Sequence, residues 1–152
     1  GAGMLAPGLA TMLVVLTTDA QIELDVAQRA LRAATSVSFD RLDSDGCMST
    51  NDQVTLMISG AARVSPSEEA FTEALTEACR QLAAQLLTDA EGASHDIAIR
   101  VVGAATEEDG IAVGRSVARN NLFKAAIFGN DPNWDGYWQP SAPRLPSSTH
   151  TR

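Results

Sequence analysis

The chain has 152 residues, of which 45% are hydrophobic, and 19 acidic and 11 basic residues give it a net charge of −8. This length is enough to bury a sizeable core. The acidic balance argues against nucleic acid or an anionic membrane as a partner, because phosphate groups are bound by cations. No apolar run approaches the roughly 20 residues of a membrane-spanning helix. Two cysteines do not make a disulfide framework, so a reducing, cytoplasmic location is expected.

The first 18 residues lead from a segment of small residues into an apolar strand. Glycine, alanine and proline dominate residues 1–10, and Thr11 then stands ahead of the apolar run at residues 12–16. A continuous apolar run of this length predicts a strand that is buried on both faces. Threonine is β-branched and suits the start of a strand, so Thr11 has a purely structural interpretation when it is considered alone.

Two segments have a simple helical pattern. Apolar residues three or four apart predict a helix over residues 23–35, with Leu24, Ala27, Leu31 and Ala34 on its buried face. Thr106 is followed by three acids, which favour the positive end of the helix dipole, and this predicts a helix over residues 106–121.

A longer helix is predicted over residues 65–91. Ser65 as N-cap, Pro66 in the first turn and Glu68 three residues after the serine form a capping box. One apolar stripe follows, made by Phe71, Leu75, Ala78, Leu82 and Leu86. Cys79 lies beside this stripe and is expected to be a small core residue rather than a nucleophile. Asp89 and Glu91 fall in the last turn, where the helix dipole disfavours acids.

The remaining segments predict two strands and a polar loop. Residues 53–58 and 96–102 have strand patterns, the second with Ile97, Ile99 and Val101 on one face. Residues 41–52 have the outline of a calcium loop, but arginine stands at its first position and aspartate at its twelfth, so no metal site is expected.

Several short motifs occur in one order along the chain. They are Gly-Ala-Gly-Met-Leu-Ala-Pro at 1–7, Leu-Ala-Thr-Met-Leu at 9–13, Ser-Thr-Asn-Asp at 49–52, Asp-Ala-Glu-Gly at 89–92 and Phe-Gly-Asn-Asp-Pro-Asn-Trp at 128–134. Together they closely resemble the ornithine acetyltransferases, the bifunctional glutamate N-acetyltransferases of arginine biosynthesis. The resemblance implies an α/β fold, part of a layered α-β-β-α sandwich of the threonine-nucleophile type. It makes residues 1–10 the end of an α-chain segment and residues 11–134 part of a β chain.

The resemblance also implies a site. The family's precursor cleaves itself at the position of Ala10 and Thr11, and the freed threonine becomes the N-terminal nucleophile of the β chain. An N-terminal threonine carries its own base, an α-amine with an ordinary pKa of about 7.7–8.0. Glu91 matches the family's substrate-binding glutamate, and an acid there would receive an amine of the substrate.

The expected reaction is ping-pong transfer of acetyl from N-acetylornithine to glutamate, without metal or cofactor. Whether acetyl-CoA is also a donor stays open. The expected partner is the α chain of the same precursor in an α2β2 heterotetramer, and this chain alone is expected to be inactive. Two alternatives remain: an aminopeptidase or amidase that uses the same threonine, with water as acceptor, and a non-catalytic binding domain.

After Trp134 the composition changes. Residues 135–152 are rich in proline and serine and are predicted to be disordered. The family continues here as Gly-Arg-Val-Leu-Ala-Ala-Val-Gly-Thr, whereas residues 135–143 are Asp-Gly-Tyr-Trp-Gln-Pro-Ser-Ala-Pro. One set of codons that would encode this segment is GAC GGG TAC TGG CAG CCG TCG GCA CC, and the same letters in a shifted frame read CGG GTA CTG GCA GCC GTC GGC ACC, which encodes Arg-Val-Leu-Ala-Ala-Val-Gly-Thr. We therefore expect the tail to be a frameshift product.

Overall fold

The computed structural model of the chain describes residues 12–43, 46, 51–90 and 92–132. The chain divides into two compact units, Gly1–Ala93 and Ser94–Arg152. The described elements are β1 (Met12–Thr18), α1 (Leu24–Ser36), a 3-10 helix (Phe39–Arg41), β2 (Asp52–Ile58), α2 (Glu68–Thr88), α3 (Glu107–Ala118) and α4 (Asn121–Phe128). The predicted α/β class is confirmed. The predicted tail at residues 135–152 lies outside the described residues and stays a prediction.

The first unit is built on two parallel strands. β1 pairs with β2 in a register that runs from Met12 opposite Asp52 to Thr18 opposite Ile58. Parallel strands cannot be joined by a tight turn, and α1 supplies the crossover between them. Both strands therefore begin at the same edge of the sheet.

One face of this sheet forms the core with α1 and α2. The cluster combines small residues of α1 with larger side chains of β1, the 3-10 helix and α2. Its buried members are Met12, Val14, Ala30, Ala34, Phe39, Leu42, Phe71, Leu75, Cys79 and Ala83. Alanines on α1 let the two helices approach closely. Phe39 and Cys79 fill the centre of the cluster and are almost completely inaccessible to solvent.

β1 is not buried on both faces, as its apolar run predicted. Met12 and Val14 are buried, but Leu13 is 73% exposed and Val15 is 63% exposed. Side chains of a strand alternate between the two faces of the sheet, and the described helices of this unit cover only one of them. The prediction of two buried faces is therefore wrong for this chain.

The two helices of this unit are confirmed, with shifted details. α1 begins one residue late, and its first residue, Leu24, is 84% exposed, so the buried face consists of Ala27, Ala30 and Ala34. α2 is capped by Ser67, whose hydroxyl accepts a hydrogen bond from the Ala70 N–H at 3.2 Å, and not by Ser65 as predicted. Starting at Glu68 places two glutamates in the first turn, which the helix dipole favours.

A bidentate ion pair joins the starts of the two helices. Arg29 on α1 donates from Nε to Glu68 Oε1 and from Nη2 to Glu68 Oε2, both at 2.8 Å. Its Nη1 donates to Asp25 Oδ2 at 3.0 Å, one helical turn earlier. The hydrogen bonds from Arg29 lower the pKa of Glu68 and of Asp25. The contact joins the first residue of α2 to the second turn of α1.

In the second unit, residues 96–102 do not form the predicted strand. A strand needs a hydrogen-bonded neighbour, and among the described residues none pairs with this segment. α3 begins as predicted, with the Thr106 hydroxyl accepting from the Asp109 N–H. α4 was not predicted; Asn120 caps it, its Oδ1 accepting from the N–H groups of Leu122 and Phe123.

The core contacts of Phe39 can be tested against an exposed residue of the same unit. Phe39→Ala should lower the free energy of unfolding by about 3–5 kcal/mol, because it removes a fully buried ring and leaves a cavity. Leu24→Ala, which the sequence pattern also placed in the core, should change it by no more than about 0.5 kcal/mol. Denaturant unfolding of the two variants measures both values, and equal losses would contradict the core described above.

The Arg29 ion pair should make stability depend on acid pH. Because the pKa values of Glu68 and Asp25 are lowered in the folded chain, their contribution is complete above the ordinary carboxyl pKa of about 4 and is lost as the pH falls through the lowered values. Arg29→Gln should therefore lower Tm at pH 7, and the difference from the unmutated chain should shrink steadily below about pH 4. Arg32→Gln, an exposed change of the same charge on the same helix, is the control. A difference that stays constant with pH would refute the ion pair.

Candidate active site at the edge where the strands begin

The predicted junction residues lie immediately before the sheet. Ala10 and Thr11 are outside the described residues, but Met12, which follows Thr11, is the first residue of β1 and is buried. Met12 lies opposite Asp52, the first residue of β2 and the last residue of the Ser-Thr-Asn-Asp motif. Two motifs that are 40 residues apart in sequence therefore meet at one edge of the sheet.

A hydrogen bond from a backbone N–H to a side chain joins the two strands at this edge. The Met12 backbone N–H donates to Asp52 Oδ1 at 2.7 Å, in a partly buried position. A bond from a backbone N–H to a carboxylate is shorter and stronger than one between neutral groups. The residue that follows Thr11 is thus held by an acid from the second motif.

The end of α2 reaches the same edge. α1, which connects two parallel strands, must run back against them, and the Arg29–Glu68 pair places the start of α2 beside the first half of α1. The 21 residues of α2 extend about 31 Å, more than the about 23 Å of a seven-residue strand. Ala90, just past the helix end, packs against the buried cluster that contains Met12. The predicted binding residue Glu91 is itself outside the described residues, between Ala90 and Gly92.

The chain leaves α2 in a turn that begins at Asp89. Asp89 is the C-cap of α2, and its N–H donates to the Gln85 carbonyl at 3.0 Å. Gly92 has φ +73°, the left-handed conformation that glycine adopts readily and that commonly follows a helix end. The predicted helix over 65–91 therefore ends three residues early, at Thr88.

The loop before β2 is only partly described. Asp43 Oδ1 accepts a hydrogen bond from the Gly46 N–H at 3.0 Å, and Gly46 has φ +74°, which is the geometry of a side-chain-closed turn. Ser49 and Thr50 lie outside the described residues. Within the part of the chain that the structure describes, no group of three or more His, Cys, Asp or Glu side chains is placed to hold a metal ion.

Two other reactive side chains have structural roles in the described residues. Cys79 is fully buried, and burial raises the pKa of its thiol, which keeps it from acting as a nucleophile. In the second unit, a hydrogen bond of 2.8 Å joins His95 Nδ1 and the Ser94 hydroxyl, and the His95 and Phe128 rings meet edge-on with their centroids 6.0 Å apart. The prediction that Cys79 is a core residue is confirmed.

Comparison with known proteins decides the family. The model of the ArgJ family matches residues 1–136. Over 134 residues the chain is 66% identical to the arginine biosynthesis bifunctional protein ArgJ of Streptomyces avermitilis and 62% identical to that of Thermobifida fusca. In both cases the match covers 88% of this chain and 35% of the relative. The chain belongs to the ArgJ family.

A solved relative supports the fold as well. The structure of the arginine biosynthesis bifunctional protein ArgJ from Bacillus halodurans matches with a TM-score of 0.77 at 40% sequence identity, over 84% of this chain and 62% of the other. The resemblance inferred from the motifs is thereby confirmed. The chain spans about a third of the length of the curated ArgJ relatives it matches.

The structure also shows what sequence reasoning missed at this edge. The sequence places Asp52 in a calcium-like loop and in the Ser-Thr-Asn-Asp motif, and it does not indicate a contact with Met12. The available signal was its position: an acid at the first residue of a strand, a place where aspartate is uncommon.

The described helices also include none long and apolar enough to span a bilayer.

Proposed function

We propose that the ArgJ protein to which this sequence belongs transfers acetyl groups from N-acetylornithine to glutamate through Thr11. Membership of the ArgJ family together with the Ala10–Thr11 junction word, placed directly ahead of β1, is the observation that carries this proposal. Arginine biosynthesis is the process named for the relatives. The proposal adds the nucleophile, the self-cleavage and the order of steps.

Self-cleavage would create the catalytic base. The Thr11 hydroxyl attacks the Ala10 carbonyl carbon, the bond from that carbon to the Thr11 nitrogen breaks, and an ester and a free α-amine form. Water then hydrolyses the ester and releases the Ala10 carboxylate. Only after this step does Thr11 carry an α-amine, whose ordinary pKa of about 7.7–8.0 suits a general base near neutral pH.

Acetyl transfer would then use the same hydroxyl twice. The α-amine takes the proton of the Thr11 hydroxyl, the oxygen attacks the acetyl carbon of N-acetylornithine, and ornithine leaves with the proton on its nitrogen. The amine of glutamate then attacks the acetyl carbon of the acetyl-threonine ester. The bond from that carbon to the Thr11 oxygen breaks, the oxygen regains a proton from the amine, and N-acetylglutamate leaves. Acetyl-CoA can enter as an alternative donor by the same chemistry, and its use is left open.

Glu91 would bind the cationic amine of the ornithine moiety. Its flanking residues place it just past α2, at the end of the helix where the dipole disfavours an acid. A cationic ligand bound to the acid would offset the unfavourable interaction between the carboxylate and the helix dipole. The connectivity that brings this helix end to the strand-start edge supports a role beside Thr11.

The uncovered face of the sheet supports the proposed α-β-β-α sandwich. Leu13, Val15 and Met57 are exposed apolar side chains of β1 and β2, and a second sheet packed on this face would bury them. We propose that the remainder of the ArgJ protein supplies that layer, as an α chain and a β chain in an α2β2 heterotetramer. A cytoplasmic location remains part of this proposal.

The nucleophile can be tested by mass spectrometry of the full-length protein. The unmutated precursor should yield a β chain that begins with Thr11, whereas Thr11→Ala should remain whole, because no hydroxyl is present to attack the Ala10 carbonyl. Acetylornithine-to-glutamate transfer should fall by at least about a thousandfold.

Thr17→Ala removes a hydroxyl from the same strand and is the matched control, expected to cleave normally. A Thr11→Ala protein that still splits after Ala10 would refute the proposal. Activity on a peptide amide with water as acceptor, in place of acetylornithine with glutamate, would favour the aminopeptidase or amidase alternative.

Glu91 can be tested by removing its charge while keeping its shape. Glu91→Gln should raise KM for N-acetylornithine by about 10–100-fold, the loss expected for one hydrogen bond to a charged group. Glu73→Gln, the same change at an exposed position within α2, should leave steady-state kinetics unchanged. Unaltered KM in the Glu91 variant, with normal folding by circular dichroism, would remove Glu91 from the site.

A further inference from the structure

We infer that Asp52 is a positioning residue for Thr11, which it holds in place through the Met12 backbone N–H; this inference rests on the proposed nucleophilic role of Thr11. The observation is the 2.7 Å hydrogen bond from Met12 N–H to Asp52 Oδ1 at the first paired position of the sheet. Asp52 acts on the residue after the nucleophile and is not itself a catalytic group.

The planarity of the peptide group makes this contact effective. The Thr11 Cα, its carbonyl group and the Met12 N–H lie in one plane, because the peptide bond has partial double-bond character. A hydrogen bond that holds the Met12 N–H therefore fixes the orientation of the whole plane, including the direction in which the Thr11 Cα leaves it. The amine and the hydroxyl of Thr11 can then change orientation through rotation about two bonds, Cα–C and Cα–Cβ.

The need for such an anchor follows from the cleavage. Once the Ala10–Thr11 bond is broken, Thr11 is a chain end, and chain ends fray unless they are tied down. The pairing of β1 with β2 holds the strand from Met12 onward, and the carboxylate of Asp52 adds a charge-assisted bond at Met12, the residue directly after Thr11. The same bond exists for the precursor strand, so it would also hold the threonine for its attack on the Ala10 carbonyl.

The burial of this edge makes the anchor rigid. Met12 is buried in the core cluster with Phe39 and Cys79, and Asp52 is partly buried at the start of β2. A group held between a packed side chain on one strand and a paired backbone on the next cannot shift without disturbing both. A displacement of about 1 Å at a reacting group can cost about a hundredfold in rate.

The test is a set of Asp52 variants in the full-length protein, measured by the rate of self-cleavage and by kcat and KM for acetylornithine. Asp52→Ala removes the acceptor and should lower both the cleavage rate and kcat by about 10–100-fold, with KM little changed. Asp52→Asn keeps an acceptor oxygen at the same distance and should stay within about fivefold of the unmutated protein, since a neutral hydrogen bond is about half as strong. Asp52→Glu keeps the charge but moves the carboxylate by one methylene and should lose activity like alanine.

Ser67→Ala is the matched control, since it removes another side-chain acceptor of a backbone N–H, at the start of α2. Unmutated rates in Asp52→Ala overturn the inference, as does a loss in Ser67→Ala of equal size, which would indicate a general loss of stability. If Asp52→Ala does not fold, the pair Asn and Glu decides: recovery by Glu and loss in Asn would show that charge, not position, matters, and would also overturn it. Normal turnover by Thr11→Ala would instead reject the proposed function and leave the Asp52 contact as a structural one.

Discussion

The parallel pairing of β1 with β2 is the constraint on which the first unit depends. Because the strands are parallel, the chain has to return from the end of β1 to the start of β2, and α1 makes that return. Both strand starts then share one edge, and α2, which leaves the far end of β2, comes back toward it. Residues that are distant in sequence become neighbours there for topological reasons, before any side chain is considered.

The core explains why this arrangement is stable with the two paired strands that the described residues form. Two strands alone are marginal in water, and packing against helices is what makes them persist. The alanines of α1 and the Phe39 and Cys79 side chains make a close helix–helix–sheet contact, and the Arg29–Glu68 pair aligns the two helix starts outside it. On the opposite face Leu13 and Val15 are exposed, so the described helices bury one of the two faces of the sheet.

The sequence predicted the elements of the first unit well, because period and capping are local properties. It did not predict that Ser67 rather than Ser65 caps α2, since both serines precede the apolar stripe and offer a side-chain acceptor. The strand pattern at residues 96–102 was equally local, but a strand exists only with a paired neighbour, and that information is not in the segment itself. α4 was not predicted although Asn120 is a good N-cap, because the helix predicted over residues 106–121 runs past that residue, whereas α3 ends at Ala118.

The site residues also divide into those that a local motif indicates and those that depend on distant parts of the chain. The short sequence motifs assign Ala10, Thr11 and Glu91 to the family's site, and these three residues lie outside the described part of the chain. The Asp52–Met12 contact was beyond the reach of the sequence, since it depends on strand register across 40 residues. An aspartate that opens a strand and an acid that follows a helix end both contradict local preference. Sequences keep such contradictions mainly where function requires them. The two acids belong to different elements, the start of β2 and the end of α2, and this is the physical argument for the proposal that the chemistry lies at the edge where the strands begin.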